Sequence, residues 1–370
     1  MNTKLQISPA QMFNAPLLFF FVTKVQIGVG VYGFQSLIYE EAKQDSWISI
    51  IISFLASHII VFVMFKVLEM YDSNDIYGIN IDLFGKLFGN FINFLLVIYS
   101  GVIFFTILNN FSEVMVTWVF PDINSSFIII TVLLLVIYTF TGGLRVIIGL
   151  CFIGFFLPQW MLGVLVYPLE FANANYLFPI FDNDLISLLK GAYAMSFTIV
   201  GFEALTTLYP YVKEKKKAQL YVHLGLLYTL VVYLFVMLVS LLFFSGEQLE
   251  RVIWATLSLF SIVRLPFFER IEIFTVCFWI IVILPNLCIY AWSAYRGIGR
   301  IIKVNQKTFI LFFTAIIFIG SFLIETQYQM NVINKISGHV SFYIVFVLPF
   351  FIYFIAFLKN KIFKRQVRKN

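Results

Sequence analysis

Long apolar runs alternate with short polar breaks along the chain, and most runs reach the roughly 20 residues that a helix needs to cross a bilayer. Ten runs can be marked off, at about 11–38, 46–68, 91–119, 126–141, 146–167, 185–210, 218–244, 270–296, 308–325 and 340–358. Short segments of strict apolar–polar alternation, the mark of a membrane barrel, are absent, so the runs predict helices. The expected fold class is an all-α polytopic membrane protein with ten transmembrane helices, numbered here as spans 1 to 10.

Two connections are longer than hairpins. Residues 70–90 read Asp75-Ile-Tyr-Gly-Ile-Asn-Ile-Asp-Leu-Phe-Gly-Lys-Leu-Phe88, a mixed stretch suited to a short interfacial helix. Residues 245–269 have a similar character. The two stretches follow span 2 and span 7, which predicts two five-span halves. Five is odd, so the second half enters the membrane from the opposite side: a 5+5 inverted-repeat transporter fold. The expected organisation is a single transmembrane domain, with one repeat at about 11–167, a second at about 185–358 and a basic tail at 359–370.

Composition removes the alternatives. Hydrophobic residues are 61% of the 370 and charged residues 12%, which excludes a soluble domain of this size. The 46 Phe read as lipid-facing filler. The net charge of +6 sits in loops and does not point to nucleic acid.

Lys4, Lys66, Lys86, Arg145, Lys213, Lys215, Lys216, Lys217, Arg296, Arg300, Lys303, Lys307 and the tail from Lys359 to Lys369 fall on one side. Glu40, Glu41, Asp45, Asp122, Glu170, Asp182, Asp184, Glu247, Glu250 and Glu325 fall on the other. The Lys/Arg excess marks the cytoplasmic side, which places both termini in the cytoplasm. The first run is too long for a cleavable signal and lacks a cleavage site. Cys151, Cys277 and Cys288 lie in apolar runs without metal-ligand or disulfide spacing and are read as buried thiols.

Spans 1 and 6 carry the candidate site. Span 1 contains Lys24-Val-Gln26-Ile-Gly28-Val-Gly30, and span 6 contains Thr198-Ile-Val200-Gly201-Phe-Glu203. Each has glycine near its middle and a charge within a few positions. Gly-interrupted spans at matching places in two halves point to a transporter-type site. Unwound backbone frees N–H and C=O groups, and half-helix termini attract opposite charges. An amino acid supplies both. The plain alternative is that each glycine lets two helices pack closely.

Lys24 and Glu203 both fall on the cytoplasmic side of the membrane centre. An intramembrane charge costs roughly 3 kcal/mol on insertion scales, so the two are expected to pair, directly or through water; proton coupling is the other role for Glu203. Tyr99, Asn109, Asn110, Glu113, Pro285-Asn286 and Tyr290 line the cavity or serve packing and capping. His58 and His223 read as isolated structural residues. No nucleophile–base pair, metal cluster or phosphate loop occurs, so no catalytic residue, metal or cofactor is expected and the chain is not read as an enzyme.

Gly201-Phe-Glu203, Leu208-Tyr-Pro210 and Lys213-Glu-Lys-Lys-Lys217 resemble the sixth-helix signature of the spore germination permeases, the membrane B subunits of nutrient germinant receptors. Ile7-Ser-Pro-Ala-Gln11 and Gln26-Ile-Gly-Val-Gly30 are similar to that family's first helix. Leu265-Pro-Phe-Phe-Glu-Arg-Ile-Glu272, leading to Phe278-Trp279, is similar to its entry to the eighth. The resemblance spans nearly the whole chain; Lys24 and the Phe-rich helices depart from it. It implies membership in the amino acid–polyamine–organocation transporter superfamily and a multi-pass protein of the endospore inner membrane. The implied partners are a receptor A subunit, a lipoprotein C subunit and a small germinant, often an amino acid. The implied pocket falls on Gly28, Gly30, Tyr99, Val200, Gly201 and the stretch from Leu284 to Tyr290, to which the reading of the breaks adds Gln26 and Thr198.

Three functions remain open at this point. One is a nutrient-sensing receptor subunit, in which the ligand biases one conformation over another. The second is an ion-coupled secondary amino acid transporter. The third is a structural membrane subunit with a vestigial pocket.

Overall fold

The computed structural model describes residues 5, 7–71, 74–264, 270–324 and 326–367. Lys4, Glu325, Arg368, Lys369 and the 265–269 part of the resemblance lie outside the described residues.

The helices follow in order: α1 (Leu17–Gln26), α2 (Phe34–Ala42), α3 (Ser46–Met70), α4 (Ile76–Trp118), α5 (Ser125–Thr141), α6 (Leu144–Phe156), α7 (Gln159–Val164) and α8 (Leu185–Thr198). Then come α9 (Leu205–Leu208), α10 (Lys215–Phe243), α11 (Gly246–Arg251), α12 (Ala255–Ser261), α13 (Ile271–Ile301), α14 (Gln306–Ser321), α15 (Gln327–Phe342) and α16 (Leu348–Val367). Among the described residues six helical stretches are long and apolar enough to cross a membrane. The pair Leu185–Thr198 and Phe202–Tyr211, bent by 56°, adds a seventh. With the shorter apolar helices α1, α5 and α14, and with Phe34–Met70 containing the end of one span and all of the next, the architecture is compatible with ten spans.

Helix starts are written in the sequence as caps. Asp75, Asn124, Asp184 and Asn305 each accept a backbone N–H of the first turn of α4, α5, α8 and α14. Ser245 with Gln248 and Thr326 with Gln329 form capping boxes at α11 and α15. The expected interfacial helix before span 3 is present. It is continuous with α4 except at Gly85, whose φ of 80° kinks the helix. The 245–269 connection carries α11 and α12.

Some boundaries differ from expectation. The fifth run is split: Pro158 separates α6 from α7, and a 3-10 segment, Tyr167–Phe171, follows. The last span begins at Gln327, not near 340, and passes through a π-helical turn at Tyr343–Val347. The polar face of Gln327–Lys335 hid that start from a reading of apolar runs.

Packing inverts the pattern of a soluble protein. On α3, Ser46, Ser49, Ser53 and Ser57 form a buried stripe, while Leu55, Ile59 and Phe62 are exposed. Small polar residues inside let helices approach; large apolar residues face the lipid. The stripe side of α3 packs on α8 and α10, α1 packs on α10 and α6, and α2 on α8. Helices α4 and α13 lie along one another beside this centre.

The face that carries the start of α1, the start of α10 and the end of α16 (the near face) is closed by several ties. Phe13 forms an isolated parallel β-bridge with Val212 through Phe13 N–H to Tyr211 O, 3.0 Å, and Lys213 N–H to Phe13 O, 2.9 Å. Glu214 Oε2 accepts the Ala15 amide at 2.9 Å. Asp75, fully buried, takes Arg296 at 3.2 Å and Arg300 at 2.9 Å. Both arginines belong to the end of α13 rather than to a solvated loop.

Candidate functional site at the two broken helices

Both spans that were expected to break do so. Helix α1 stops at Gln26, Ile27 and Gly28 are extended, and a 3-10 turn, Val29–Tyr32, leads to α2. Helix α8 stops at Thr198, and Gly201, with φ 119°, turns the chain into the 3-10 segment Phe202–Ala204 ahead of α9. That φ excludes side-chain-bearing residues in practice. A Cβ at Gly201 would fall 2.6 Å from Val25 O, so the second break lies directly on the backbone of α1. Gly30 is set against Thr198 in the same manner, with an added Cβ 2.9 Å from Thr198 Cγ2.

The freed backbone groups find side chains from several helices. Gln26 Nε2 donates to Ile199 O at 3.0 Å, joining one break to the other. Tyr233 of α10 donates to Gln26 O at 2.8 Å, and Asn286 of α13 to Ile27 O at 3.4 Å. Gln26 Oε1 and Asn286 Oδ1 are buried with no hydrogen-bond partner. Asn286 follows Pro285 in the middle of an apolar span, and this dipeptide is its sequence signal. Tyr233 carries no such signal among the chain's many aromatic residues.

Glu203 has neutral neighbours. Its Oε1 accepts from Tyr99 at 3.0 Å and from Tyr290 at 3.1 Å, and its Oε2 accepts the Gly201 amide at 2.6 Å. The expected direct pairing with Lys24 is not what the fold makes. Lys24 points to the other side of the broken pair, where its stem runs past Gly154 of α6, and among the described residues no carboxylate forms an ion pair with it. The turn at Gly201 explains this: it carries Glu203 into the 3-10 segment on the Tyr99 and Tyr290 side, while Lys24 lies on α1 beside Gly154.

The expected site residues are divided among three spaces. Tyr99, Glu203 and Tyr290 line a near-side cavity with Ser100, Thr207 and Ser293. Gly30 and Thr198 line a vestibule of about 340 Å³ that also has Asn110, Glu113, Arg251 and Asn334 on its walls. Lys24 lines a third cavity with Ile27 and Trp279. Gln26, Gly28 and Gly201 stand between these spaces. Val200 and Leu284 are half-buried against the apolar core and make no polar side-chain contact, because they have nothing polar to offer.

Other residues are better resolved by the fold than by the sequence. Asn110 exchanges hydrogen bonds with Asn334 at 2.9 and 3.0 Å, and Asn109 donates to Phe105 O. His58 and His223 are not isolated: they stack with ring centroids 5.0 Å apart and Nδ1 atoms 2.7 Å apart. Cys151 and Cys288 are buried, but Cys277 is exposed on the outer face of α13.

This geometry, two interrupted spans crossing at the centre of an all-helical bundle, invites comparison with known proteins. The profile of the family described as spore germination protein matches residues 12–330. The chain belongs to that family. It is 33% identical over 331 residues to the spore germination protein GerQB of Bacillus cereus, covering 90% of this chain and 92% of that one. To the spore germination protein A2 of Bacillus subtilis it is 27% identical over 64% of this chain and 65% of the relative. Among solved structures, MhsT in complex with L-phenylalanine is similar in fold, with a TM-score of 0.62 at 16% identity over 94% of this chain and 89% of that chain. The fold is thus that of a 5+5 inverted-repeat transporter with spans 1 and 6 broken, and the protein is a germinant-receptor-like membrane protein of a non-enzymatic family.

Proposed function

We propose that the protein is the nutrient-sensing membrane subunit of a spore germination receptor and that it binds a small germinant, an amino acid in the first instance, where the two breaks meet. The observation that carries this reading is the pair of buried, unpartnered acceptors, Gln26 Oε1 and Asn286 Oδ1, beside the interrupted backbone. Buried polar atoms without a partner are uncommon and call for one. An ammonium group placed between them satisfies both. The amides that open the 3-10 turn at Val29 and Gly30 have no partner within the turn and suit a carboxylate. The vestibule leads from the far face to Gly30 and Thr198, and the near face is closed.

On this reading Gln26, Gly28, Gly30, Thr198 and Gly201 surround the ligand, Asn286 joins them, and Tyr99, Tyr290 and Glu203 form the floor that registers its presence. Germinant binding shifts the balance between this far-open arrangement and one open to the near face. The family supports assembly with a receptor A subunit and a lipoprotein C subunit, location in the endospore inner membrane and cytoplasmic termini on the near face. The repeats of the fold then run from about 11 to 167 and from about 185 to 358.

The test is a thermal-unfolding screen of the purified protein against amino acids, sugars and nucleosides. A zwitterionic amino acid raises the melting temperature saturably, and Gln26→Leu and Thr198→Trp remove the effect. Absence of any stabilising amino acid, or one whose effect survives both substitutions, refutes the site. The likeness to MhsT favours a second reading, ion-coupled amino acid transport. Concentrative uptake into proteoliposomes under an ion gradient supports it; saturable binding without flux supports the receptor.

A further inference from the structure

The cavity beside Lys24 plays no part in the reading above. It lies where α1, α7, α10, α12 and α13 meet, and its volume of about 50 Å³ leaves room for a ligand of only a few heavy atoms. Lys24 is 3% exposed, and among the described residues its ammonium has neither an ion-pair partner nor a hydrogen-bond acceptor. The indole Nε1–H of Trp279, on the same wall, is also buried without a partner. The other polar groups of the wall are engaged. Gln159 bonds Phe155 O and the Tyr228 hydroxyl, and Thr256 donates to Val31 O and accepts from Gln35.

What remains free in this cavity is therefore of donor type, and one of the two donors is a full positive charge. The C-terminus of α1 places about half a negative charge nearby, which eases the burial of Lys24 without neutralising it. An unpaired ion inside an apolar span is expensive, and among the described residues none supplies the counter-charge. Apart from the polar groups already named, the wall is apolar: Val31, Leu162, Leu165, Val236 and Phe260.

We propose that this cavity binds a carboxylate of the size of acetate, held by the Lys24 ammonium and the Trp279 indole N–H. The cavity borders the first broken span on both sides of its interruption, at Lys24, Ile27 and Val31, so its occupancy biases the geometry of the break. The site is separate from the one at Gln26 and Asn286, and neither needs the other.

The full-length protein in lipid nanodiscs is titrated with acetate, with methylamine and with sodium chloride at matched ionic strength, and thermal unfolding is read. Acetate raises the melting temperature saturably; the amine and chloride do not. Lys24→Met weakens acetate about 10- to 100-fold, as loss of one charge-assisted hydrogen bond implies, and Lys24→Arg keeps most of the affinity. Trp279→Phe weakens it about 3- to 10-fold. Thr198→Trp, which blocks the vestibule, leaves it unaltered, so failure at one site is told from failure at the other. The proposal is overturned if the wild type is not stabilised by acetate, if the amine or chloride does as well, or if Lys24→Met binds with unchanged affinity. Should Lys24→Met not fold, unchanged affinity in Trp279→Phe overturns it.

Discussion

Gly201 stands so close to Val25 that a Cβ on the glycine would lie 2.6 Å from the Val25 carbonyl oxygen and 2.8 Å from its Cβ. The contact is where the two broken spans touch, and the positive φ of Gly201 permits it. Gly201→Ala therefore meets both backbone strain and overlap, and a loss of about 2–5 kcal/mol follows. Gly28 is different. Its φ of −127° is ordinary extended backbone, and an added Cβ comes no nearer than 3.4 Å, to Asn286 Nδ2. Gly28→Ala is expected to cost under about 1 kcal/mol. Melting temperatures of the two variants in one detergent check the contrast; equal losses would count against the geometry at the break.

These two glycines looked alike as letters in an apolar run. That spans 1 and 6 break was legible, because glycine beside a charge, which alone could serve close helix packing, recurs at the place the five-span periodicity predicts. Which glycine bears the strain was not, since φ depends on how the two halves cross. The same limit explains Lys24 and Glu203. Sequence gives the depth of a residue along a helix, and both are at a similar depth. It does not give how the turn at Gly201 meets α1, which sets Glu203 against Tyr99 and Tyr290 and Lys24 against Gly154. Asp75 is a further case: one acid within a long connection looks solvated until the end of α13 is laid over it.

Glu203 accepts three hydrogen bonds, two from hydroxyls that can reverse their direction and one from an amide that cannot. Glu203→Gln can keep the amide contact through its oxygen and donate its NH2 to the tyrosines, so its stability stays within about 1 kcal/mol of the wild type. Glu203→Leu strands the Gly201 N–H and both hydroxyls and is expected to cost about 3 kcal/mol or more. Because Lys24 is not its partner, the Lys24→Met and Glu203→Gln changes add to within about 0.5 kcal/mol in a double-mutant cycle. A coupling well above that value would restore the pairing that the fold denies.

On the near face, Asp75 pairs with both Arg296 and Arg300 and fastens the start of α4 to the end of α13. Asp75→Asn removes the carboxylate that two largely buried guanidinium groups share. Removing one partner of a buried ion pair costs about 3–5 kcal/mol, with the lower end expected here because the arginine side chains are 18% and 15% exposed. The variant also loosens the near-face closure. Ser293, which lines the cavity under Glu203 and receives the Tyr77 hydroxyl at its carbonyl, then becomes reachable. A Ser293→Cys reporter is expected to react with a water-soluble maleimide faster in the Asp75→Asn background than alone; equal rates would show that this triad does not gate the face.

The far face has a tie of a different kind at Asp45. One carboxylate oxygen accepts the Phe181 amide at 2.8 Å, and the other accepts the amides of Asp182 and Asn183 and the Asn183 side chain at 3.0 to 3.1 Å. Three consecutive backbone donors converge on one anion, fixing the segment before α8 to the turn between α2 and α3. An amide cannot replace the carboxylate, because its NH2 would face donors. Asp45→Asn and Asp45→Ala are both expected to cost about 2–4 kcal/mol, since hydrogen bonds to a charged acceptor are each stronger than neutral ones. The neighbouring pair of Lys43 and Glu250, with both side chains more than 40% exposed, is expected to contribute under about 1 kcal/mol, so Lys43→Ala serves as the comparison. Limited proteolysis reads the effect locally: cleavage within 180–184 rises in the Asp45 variants and not in Lys43→Ala. Unchanged protection in Asp45→Ala would mean that packing rather than the carboxylate holds this entry to span 6.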